Sequence, residues 1–493
     1  MFTYVKPAEA GVSAKQIQKY IRSLEKQGIE THDIILARGN RIFFEQYWKP
    51  LNADFGHRMF SVTKSYVSIA IGFAIQDGLV ALDDKIVDYF PEDVPENILE
   101  HVKNQTIRNM LMMSTGYLQS CANWFVDQED RVKFYFSQNT DQMKSSHEFS
   151  KMPGAFFDYD STGSFILGAL VERLTGKSLN EYLREKLFDK IGVSDKTRFL
   201  KCPGGHSWSD SALICPPLDL LKVARFTMNY GSWNGEQILS REYLKEATSN
   251  LISTGDEDIY KSFGYGYLIW RTWNNSFFFN GANAQVAVCV PDKDMIMIYN
   301  GFSGARDQIL SRFFEEIVET ASDEPIPDDE TEQKALEAYC ETLELKRVKK
   351  NVATGMQERI NGKTYRLGDN PMGIKTVRLD FYDDRGLFTY ENAQGLKKLE
   401  FGICHNVQTV FPQEGYSREV GAVYAPENYY QCYVSAGWQE EKKFLIVAKV
   451  LEDYLGAFRF NFYFVGEDKL AFLSDGDGEN YGSDYKGYAE GSL

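Results

Sequence analysis

The chain has 493 residues, more than one ordinary domain holds, so two or three domains are expected. Apolar residues make up 43 %, enough for a large core, and a formal net charge of -16 without a basic stripe excludes nucleic acid and anionic membrane surfaces as partners. No apolar run has transmembrane length, Met1 to Pro7 lacks a signal-peptide core, and the seven scattered cysteines form no Cys-x-x-Cys pair, which predicts a cytoplasmic chain with reduced thiols.

Taken in order, Ser13 caps a helix with Ile17, Tyr20, Ile21 and Leu24 on one face, and Gly28 ends it. Ile34 to Ala37 and Ile42 to Phe44 flank Gly39-Asn40, a hairpin signal. Phe60-Ser61-Val62-Thr63-Lys64-Ser65 then leads into an apolar run from Tyr66 to Gln76 that stops at Gly78. Val67, Ile71, Ala74 and Ile75 recur at helical spacing, so a buried helix with Ser61 at its start is predicted. From Asp83 to about Asn250 the pattern is mainly helical. Thr106 to Leu111 begins one helix and Gly116 terminates it. Pro153 to Ser161 reads as a loop, Phe165 to Val171 as an apolar helix stopped by Gly176, and Ser178 caps the next. Strand character returns over Tyr265 to Trp273, Phe277 to Phe279, Val286 to Val290 and Met295 to Tyr299, an antiparallel meander, with a helix from Arg306 to Val318 over it. Strands at both ends with helices between them imply one sheet built from both ends of the segment.

Ala321 to Glu330 is acidic and proline-containing and reads as a linker, followed by a helix around Gln333 to Leu345. From about Asn351 the chain is rich in strands and aromatics, spaced as in a small β-barrel or sandwich. Asp475, Asp477 and Glu479 resemble a calcium loop. Asn480 stands where that loop needs glycine and Lys486 where it needs glutamate, so a solvated acidic turn is expected. The six histidines show no ligand spacing, and no metal or cofactor is expected.

Ser61 and Lys64 are three residues apart on one helix, so they stand side by side at its start. A serine hydroxyl needs a base to become a nucleophile, and a lysine in a dry pocket can serve. Ser483-Asp484-Tyr485-Lys486 matches the same pattern among glycines, with no apolar helix behind it, and is set aside. The plainer alternative for Ser61 is a helix cap beside a solvated lysine.

Together with Tyr159-Asp160-Ser161, after Pro153-Gly154 and before an apolar helix, and Phe279-Asn280-Gly281-Ala282 on the meander, Ser61-Val62-Thr63-Lys64 resembles the serine β-lactamase-like, penicillin-recognising hydrolases. The resemblance spans roughly residues 10 to 320 and is nearest the class C β-lactamases with their esterase, D-aminopeptidase and 6-aminohexanoate-oligomer hydrolase relatives. It implies an α/β (α+β) fold: an antiparallel sheet flanked by helices, from about 1–60 and 255–320, with a helical part at about 61–250. The whole domain is 1–345, and a β-rich domain is expected over 346–493.

By the resemblance, Ser61 is the acylated nucleophile, Lys64 its activating partner and Tyr159 a proton relay. The N–H groups of Ser61 and Ala282 form the oxyanion hole, and Ser161, Phe279, Asn280 and Gly281 contact substrate. Two departures stand out. Ser161 replaces the usual asparagine, and Phe279 replaces the lysine that holds a substrate carboxylate in the lactamases. The leading expectation is therefore hydrolysis of a small-molecule ester, amide or peptide. A slowly acylating sensor, a true β-lactamase or D-aminopeptidase, and a peptide- or glycan-binding C-terminal domain are the alternatives.

Overall fold

The first helix, α1 (Ala14–Lys26), starts as its sequence predicts: Ser13 Oγ accepts from Gln16 N at 3.2 Å, and Gln16 Oε1 accepts from Ser13 N at 2.6 Å. Its apolar stripe, Ile17, Tyr20, Ile21 and Leu24, is fully buried against a nine-stranded sheet. The computed structural model describes residues 2–116, 129–137, 152–256, 262–421, 423–478 and 485–493. Two compact units divide the chain: Met1–Glu344 with Glu419–Gly421, and Leu345–Arg418 with Ala422–Leu493.

The sheet of the first unit comprises β1 (Thr3–Tyr4), β2 (Thr31–Arg38), β3 (Arg41–Tyr47), β4 (Ile252–Ser253), β5 (Gly264–Tyr265), β6 (Trp270–Arg271), β7 (Phe277–Gly281), β8 (Gln285–Val290) and β9 (Met295–Gly301). Its order is β1-β3-β2-β9-β8-β7-β6-β5-β4. The two ends of the segment meet where β2 pairs antiparallel with β9, Leu36 opposite Met297 and Ile34 opposite Tyr299. Strand character expected over Tyr265 to Trp273 resolves into two short strands, β5 and β6, because the chain turns back between them.

Helices cover both faces, which is why β2, β8 and β9 are buried without alternation. On one face, α1 reaches β9 through Tyr20 Oη, which donates to Met297 Sδ at 3.2 Å. On the other, Cys289 Sγ of β8 donates to Ala224 O at 3.7 Å. Between the two sheet segments lie α2 (Val62–Gln76), α3 (Ser161–Thr175) and α4 (Pro217–Met228), with smaller helices. After β9, α5 (Arg306–Phe313) continues in a wider turn through Val318.

The acidic stretch after α5 differs from a free linker. Ser322 N donates to Gly11 O at 2.9 Å, Ile326 N donates to Ala8 O at 2.9 Å, and Arg38 Nη1 caps the Ser322 carbonyl at 2.5 Å. The helix that follows, α6 (Glu330–Cys340), lies on α1, with the Arg22 guanidinium 4.2 Å from the Tyr339 ring centre. In the acidic stretch Pro325 and Pro327 stop helix formation, and the backbone hydrogen bonds to Ala8 and Gly11 fix the segment.

The second unit is a closed barrel. Its strands are β10 (Thr364–Leu367), β11 (Thr376–Tyr382), β12 (Arg385–Asn392), β13 (Gly395–Ile403), β14 (Val407–Tyr416), β15 (Tyr424–Glu440), β16 (Lys443–Leu451), β17 (Leu455–Val465), β18 (Lys469–Gly478) and β19 (Gly487–Ser492). The ladder runs β13-β12-β11-β10-β19-β18-β17-β16-β15-β14, and a parallel pairing of β13 with β15, Gly402 opposite Ser435, closes the ring. Alternate residues fill the interior: Phe388, Phe411, Phe458, Phe460 and Phe472 are fully buried, with Phe411 and Phe458 stacked at 4.5 Å. These aromatics are core, not a binding surface. Ser483, Glu479, Asn480, His147 and Cys121 lie outside the described residues.

Among the described residues no helix is long and apolar enough to cross a membrane.

Candidate active site

Ser61 is held from below by a short strand, His57–Arg58, paired with Leu213–Cys215. Met59 N donates to Leu213 O at 2.8 Å. The chain then turns through Phe60 at φ 45°, a left-handed conformation rare for a bulky side chain, before α2 begins. Thr63 locks that turn: its Oγ1 donates to Phe60 O at 2.5 Å and accepts from Leu213 N at 3.0 Å. Ser61 occupies the capping position of α2, yet its hydroxyl makes no capping bond. Lys64 Nζ instead donates to Ser61 Oγ at 3.0 Å and to Asp210 O at 2.6 Å. Lys64 is 1 % exposed. The cap-and-solvated-lysine alternative requires the reverse on both counts.

Tyr159 is brought to this pair by the segment before α3. Gly154 N donates to Ser114 O at 2.7 Å and Asp158 N to Met113 O at 2.8 Å, so the turn after the Thr106-capped helix (Ile107–Leu111) carries the Tyr159 loop. Asp160 then caps α3, accepting from Thr162 N at 2.9 Å. The Tyr159 ring stacks on Trp270 at 5.6 Å, and its centre is 5.2 Å from Lys64 Nζ. Ser161, the first residue of α3, is buried and is not among the residues that line the cleft.

The opposite wall is the end of β7. Ser61, Tyr159, Trp270, Asn280, Gly281 and Ala282 line a cleft of about 440 Å³, joined by Asn283, Ala284, Ser303, Gly304, Arg306 and Asp307. Phe279 is fully buried and points away from this cleft, because neighbours on a strand face opposite sides. The aromatic surface expected of Phe279 is supplied by Trp270 and Tyr159. Asn280, on the cleft side, has its Oδ1 buried with no protein partner among the described residues. A Cβ at Gly281 would lie 2.3 Å from Met59 O. Glycine is therefore needed here for backbone to pass backbone, β7 against the residue two before Ser61, and not only for approach of a substrate. Just beyond Ala282, Asn283 (φ 57°) and Ala284 (φ 62°) are both left-handed, so each backbone flanking the cleft carries strain.

Burial shapes the charges nearby. Asp158, next to Tyr159, is pushed up to about 6, first by desolvation and then by the neighbouring Asp160 carboxyl. Beneath the turn before Ser61 lies a buried polar cluster. Asn300 Nδ2 donates to Asp33 Oδ1 at 2.9 Å, and His57 Nε2 is 3.4 Å from Asp33 Oδ2. Desolvation drives His57 down to about 3 and Asp33 well above the carboxylate range, so burial favours an uncharged pair. No group of His, Cys, Asp or Glu side chains among the described residues is placed to hold a metal ion.

Sequence reasoning did not single out Trp270, Asn283, Ser303, Arg306 or Asp307. The hairpin that places Trp270 beside Tyr265 was visible only as undivided strand character. The paired charges at the start of α5 look like any solvated first turn.

A sheet that is antiparallel except at its β1–β3 edge, covered on both faces, with helices inserted between its two segments and a serine at the start of the buried helix, is the β-lactamase/transpeptidase fold. The chain belongs to the beta-lactamase family, whose sequence model matches residues 17–312. It is 22 % identical over 282 residues to the 6-aminohexanoate-dimer hydrolase of Paenarthrobacter ureafaciens, covering 54 % of this chain and 70 % of that one. It is 26 % identical over 172 residues to esterase EstB of Burkholderia gladioli, covering 33 % of this chain and 43 % of that one. The structure of the octameric penicillin-binding protein homologue from Pyrococcus abyssi superposes with a TM-score of 0.51 at 14 % identity, over 97 % of this chain and 99 % of the other.

Proposed function

We propose that the protein is a serine hydrolase that cleaves an ester or amide of a small molecule through an acyl-enzyme on Ser61. The observation that carries this reading is the buried Lys64 Nζ, 3.0 Å from a Ser61 hydroxyl that does not cap its helix. Lys64 accepts the Ser61 proton as Oγ bonds to the scissile carbonyl carbon. The carbonyl π electrons move onto oxygen, and the N–H groups of Ser61 and Ala282 receive the oxyanion. Collapse of this intermediate expels the alkoxide or amine, which takes a proton relayed by Tyr159. Water then adds to the acyl carbon, loses its proton through the same groups and releases the acid with Ser61 restored. Asn280 Oδ1, buried and unpartnered, offers an acceptor for a substrate N–H or O–H, the contact first expected from Ser161.

The substrate class follows from Phe279. In the lactamases a lysine at this position holds a substrate carboxylate; Phe279 carries no charge and its ring is buried away from the cleft, so this position supplies no such contact. One charge-assisted hydrogen bond is worth about 1.5–3 kcal/mol, roughly a ten- to hundredfold loss for β-lactams and D-Ala-D-Ala peptides. An uncharged ester or small amide loses nothing.

The test has two parts. A fluorophosphonate probe adds one label to the wild-type chain and none to Ser61→Ala; labelling that persists in the variant overturns the assignment of the nucleophile. On one preparation, kcat/KM for a p-nitrophenyl ester exceeds that for nitrocefin. A clear preference for nitrocefin returns the protein to the β-lactam hydrolases.

A further inference from the structure

Among the described residues, the cleft beside Ser61 is lined by two charged side chains, Arg306 and Asp307. They are the first two residues of α5. Both Nε and Nη2 of Arg306 donate to Asp307 Oδ1, at 2.8 and 2.6 Å. The guanidinium carbon lies 5.8 Å from the Phe278 ring centre, and Phe278 in turn stacks on Trp270, the residue against which Tyr159 rests. The segment before α5 is tied to the end of β7: Ser303 N donates to Asn283 O at 3.3 Å, one residue past Ala282. The charge pair is thus built into the same wall as Ala282. It also stays within reach of a ligand, with the two side chains 27 % and 39 % exposed.

The Nε–Nη2 edge of a guanidinium is the edge that grips a carboxylate with two parallel hydrogen bonds. In this protein that edge is already engaged by the residue next in sequence. A carboxylate on a substrate must displace Asp307, or else sit beside it as a like charge. Asp307 holds its place at little entropic cost, since it is tethered one residue away. A first-turn aspartate is also favoured by the positive end of the helix.

We propose that Asp307 is a specificity-determining residue: by occupying the binding edge of Arg306 it masks the cation of this cleft, so that uncharged esters and amides are admitted ahead of substrates carrying a carboxylate. The inference rests on the reading of this cleft as the reaction site, and it extends the argument from Phe279. That position lacks a cation, and the cation nearby on α5 is held in check.

Asp307→Ala removes both carboxylate oxygens and so frees Nε and Nη2 of Arg306. The quantity to read is the ratio of kcat/KM for an anionic ester to that for neutral p-nitrophenyl butyrate. Mono-p-nitrophenyl glutarate places the carboxylate on the acyl side, and 4-acetoxybenzoate places it on the leaving side. The variant raises the ratio for at least one of them by roughly ten- to a hundredfold, the value of one charge-assisted hydrogen bond, and adding Arg306→Gln returns it. A substitution that merely disturbs the start of α5 changes neutral and anionic esters alike and leaves the ratio where it was, which overturns the proposal. A second measurement needs no turnover. In the Ser61→Ala background, calorimetric affinity for 4-acetamidobenzoate rises by a similar factor with Asp307→Ala and falls back when Arg306→Gln is added. An unchanged affinity overturns the masking whatever the esters do. A chain that binds the anion as expected yet hydrolyses no ester overturns the catalytic reading and leaves the masking in place.

Discussion

Replacing Gly281 with alanine drives a methyl group into the carbonyl oxygen of Met59. The new Cβ would lie 2.3 Å from that oxygen, with Gln285 Cβ at 3.1 Å and Gln285 O at 3.3 Å behind it. Ordinary contacts of this kind begin near about 3.2–3.4 Å, so roughly an ångström must be found by moving backbone, not a side-chain tip. One side of the clash is β7, held in register with β8 from Phe277 to Gly281. The other is the strained turn from Met59 through Phe60 to Ser61, held by the Met59–Leu213 and Thr63–Phe60 hydrogen bonds. The turn is the shorter and weaker of the two, so it yields and carries Ser61 with it. Overpacking of this kind costs about 1–3 kcal/mol of stability, and a misplacement near 1 Å costs roughly a hundredfold in rate. The assay is the second-order rate of fluorophosphonate labelling, read beside the urea midpoint. The expected result is a folded variant labelled roughly a hundredfold more slowly. A Gly281→Ala protein labelled at the wild-type rate would falsify the claim that this glycine sets the position of the nucleophile.

Lys64→Met keeps length and apolar bulk but removes the proton acceptor, and kcat/KM for a p-nitrophenyl ester is expected to fall by roughly 10²–10⁴; an active Lys64→Met protein would assign the base elsewhere. The buried pair Asp33 and His57 makes a prediction about acid. A histidine driven down to about 3 contributes stability that is present above its unfolded value, 6.5, and is lost as pH falls toward 3. An aspartate driven up contributes stability that is present below its unfolded value, 3.8, and is lost as pH rises through its folded value. Where the two windows overlap they oppose each other. Asp33→Asn, which can still accept from Asn300 Nδ2, removes the opposing half. Its urea-derived stability should therefore fall more steeply than wild type between pH 6.5 and 4, by up to about 1.4 kcal/mol per pH unit. Parallel slopes would mean that Asp33 is not held protonated in the fold.

Much of the site was legible because three short motifs each sit beside an unambiguous helix or strand signal. The apolar run ending at Gly78 marks α2, and so gives Ser61 its place at a buried helix start. Pro153-Gly154 and the run after Ser161 bracket Tyr159. The alternation that distinguishes Asn280 from Phe279 was equally present in the sequence. It was not used, because three consecutive phenylalanines hide which face is covered when a sheet is buried on both sides. Gly281 was recognised as a close approach, but the partner, Met59 O, depends on a contact across more than two hundred residues. Nothing local to either residue announces it. The Arg306–Asp307 pair escaped for a different reason: adjacent opposite charges at a helix start are common, and only the cleft gives these two a meaning. The acidic stretch from Ala321 was misleading in composition alone, since its own backbone hydrogen bonds to Ala8 and Gly11 tie it down.

The pairing of β2 with β9 has a consequence for how the protein is made. Leu36 meets Met297 only after the 260 residues between them have been made. At roughly 5–20 residues per second, the β2–β3 hairpin waits about 13–50 s for its partner. In that interval Ile34, Ile35, Leu36 and Ala37, all buried in the finished sheet, stand on an open edge. The hairpin is too small to be stable alone. Newly made chains are therefore most prone to aggregate through residues 31–47, and a chaperone that shields that stretch during synthesis should raise the yield of folded protein more than one acting after release.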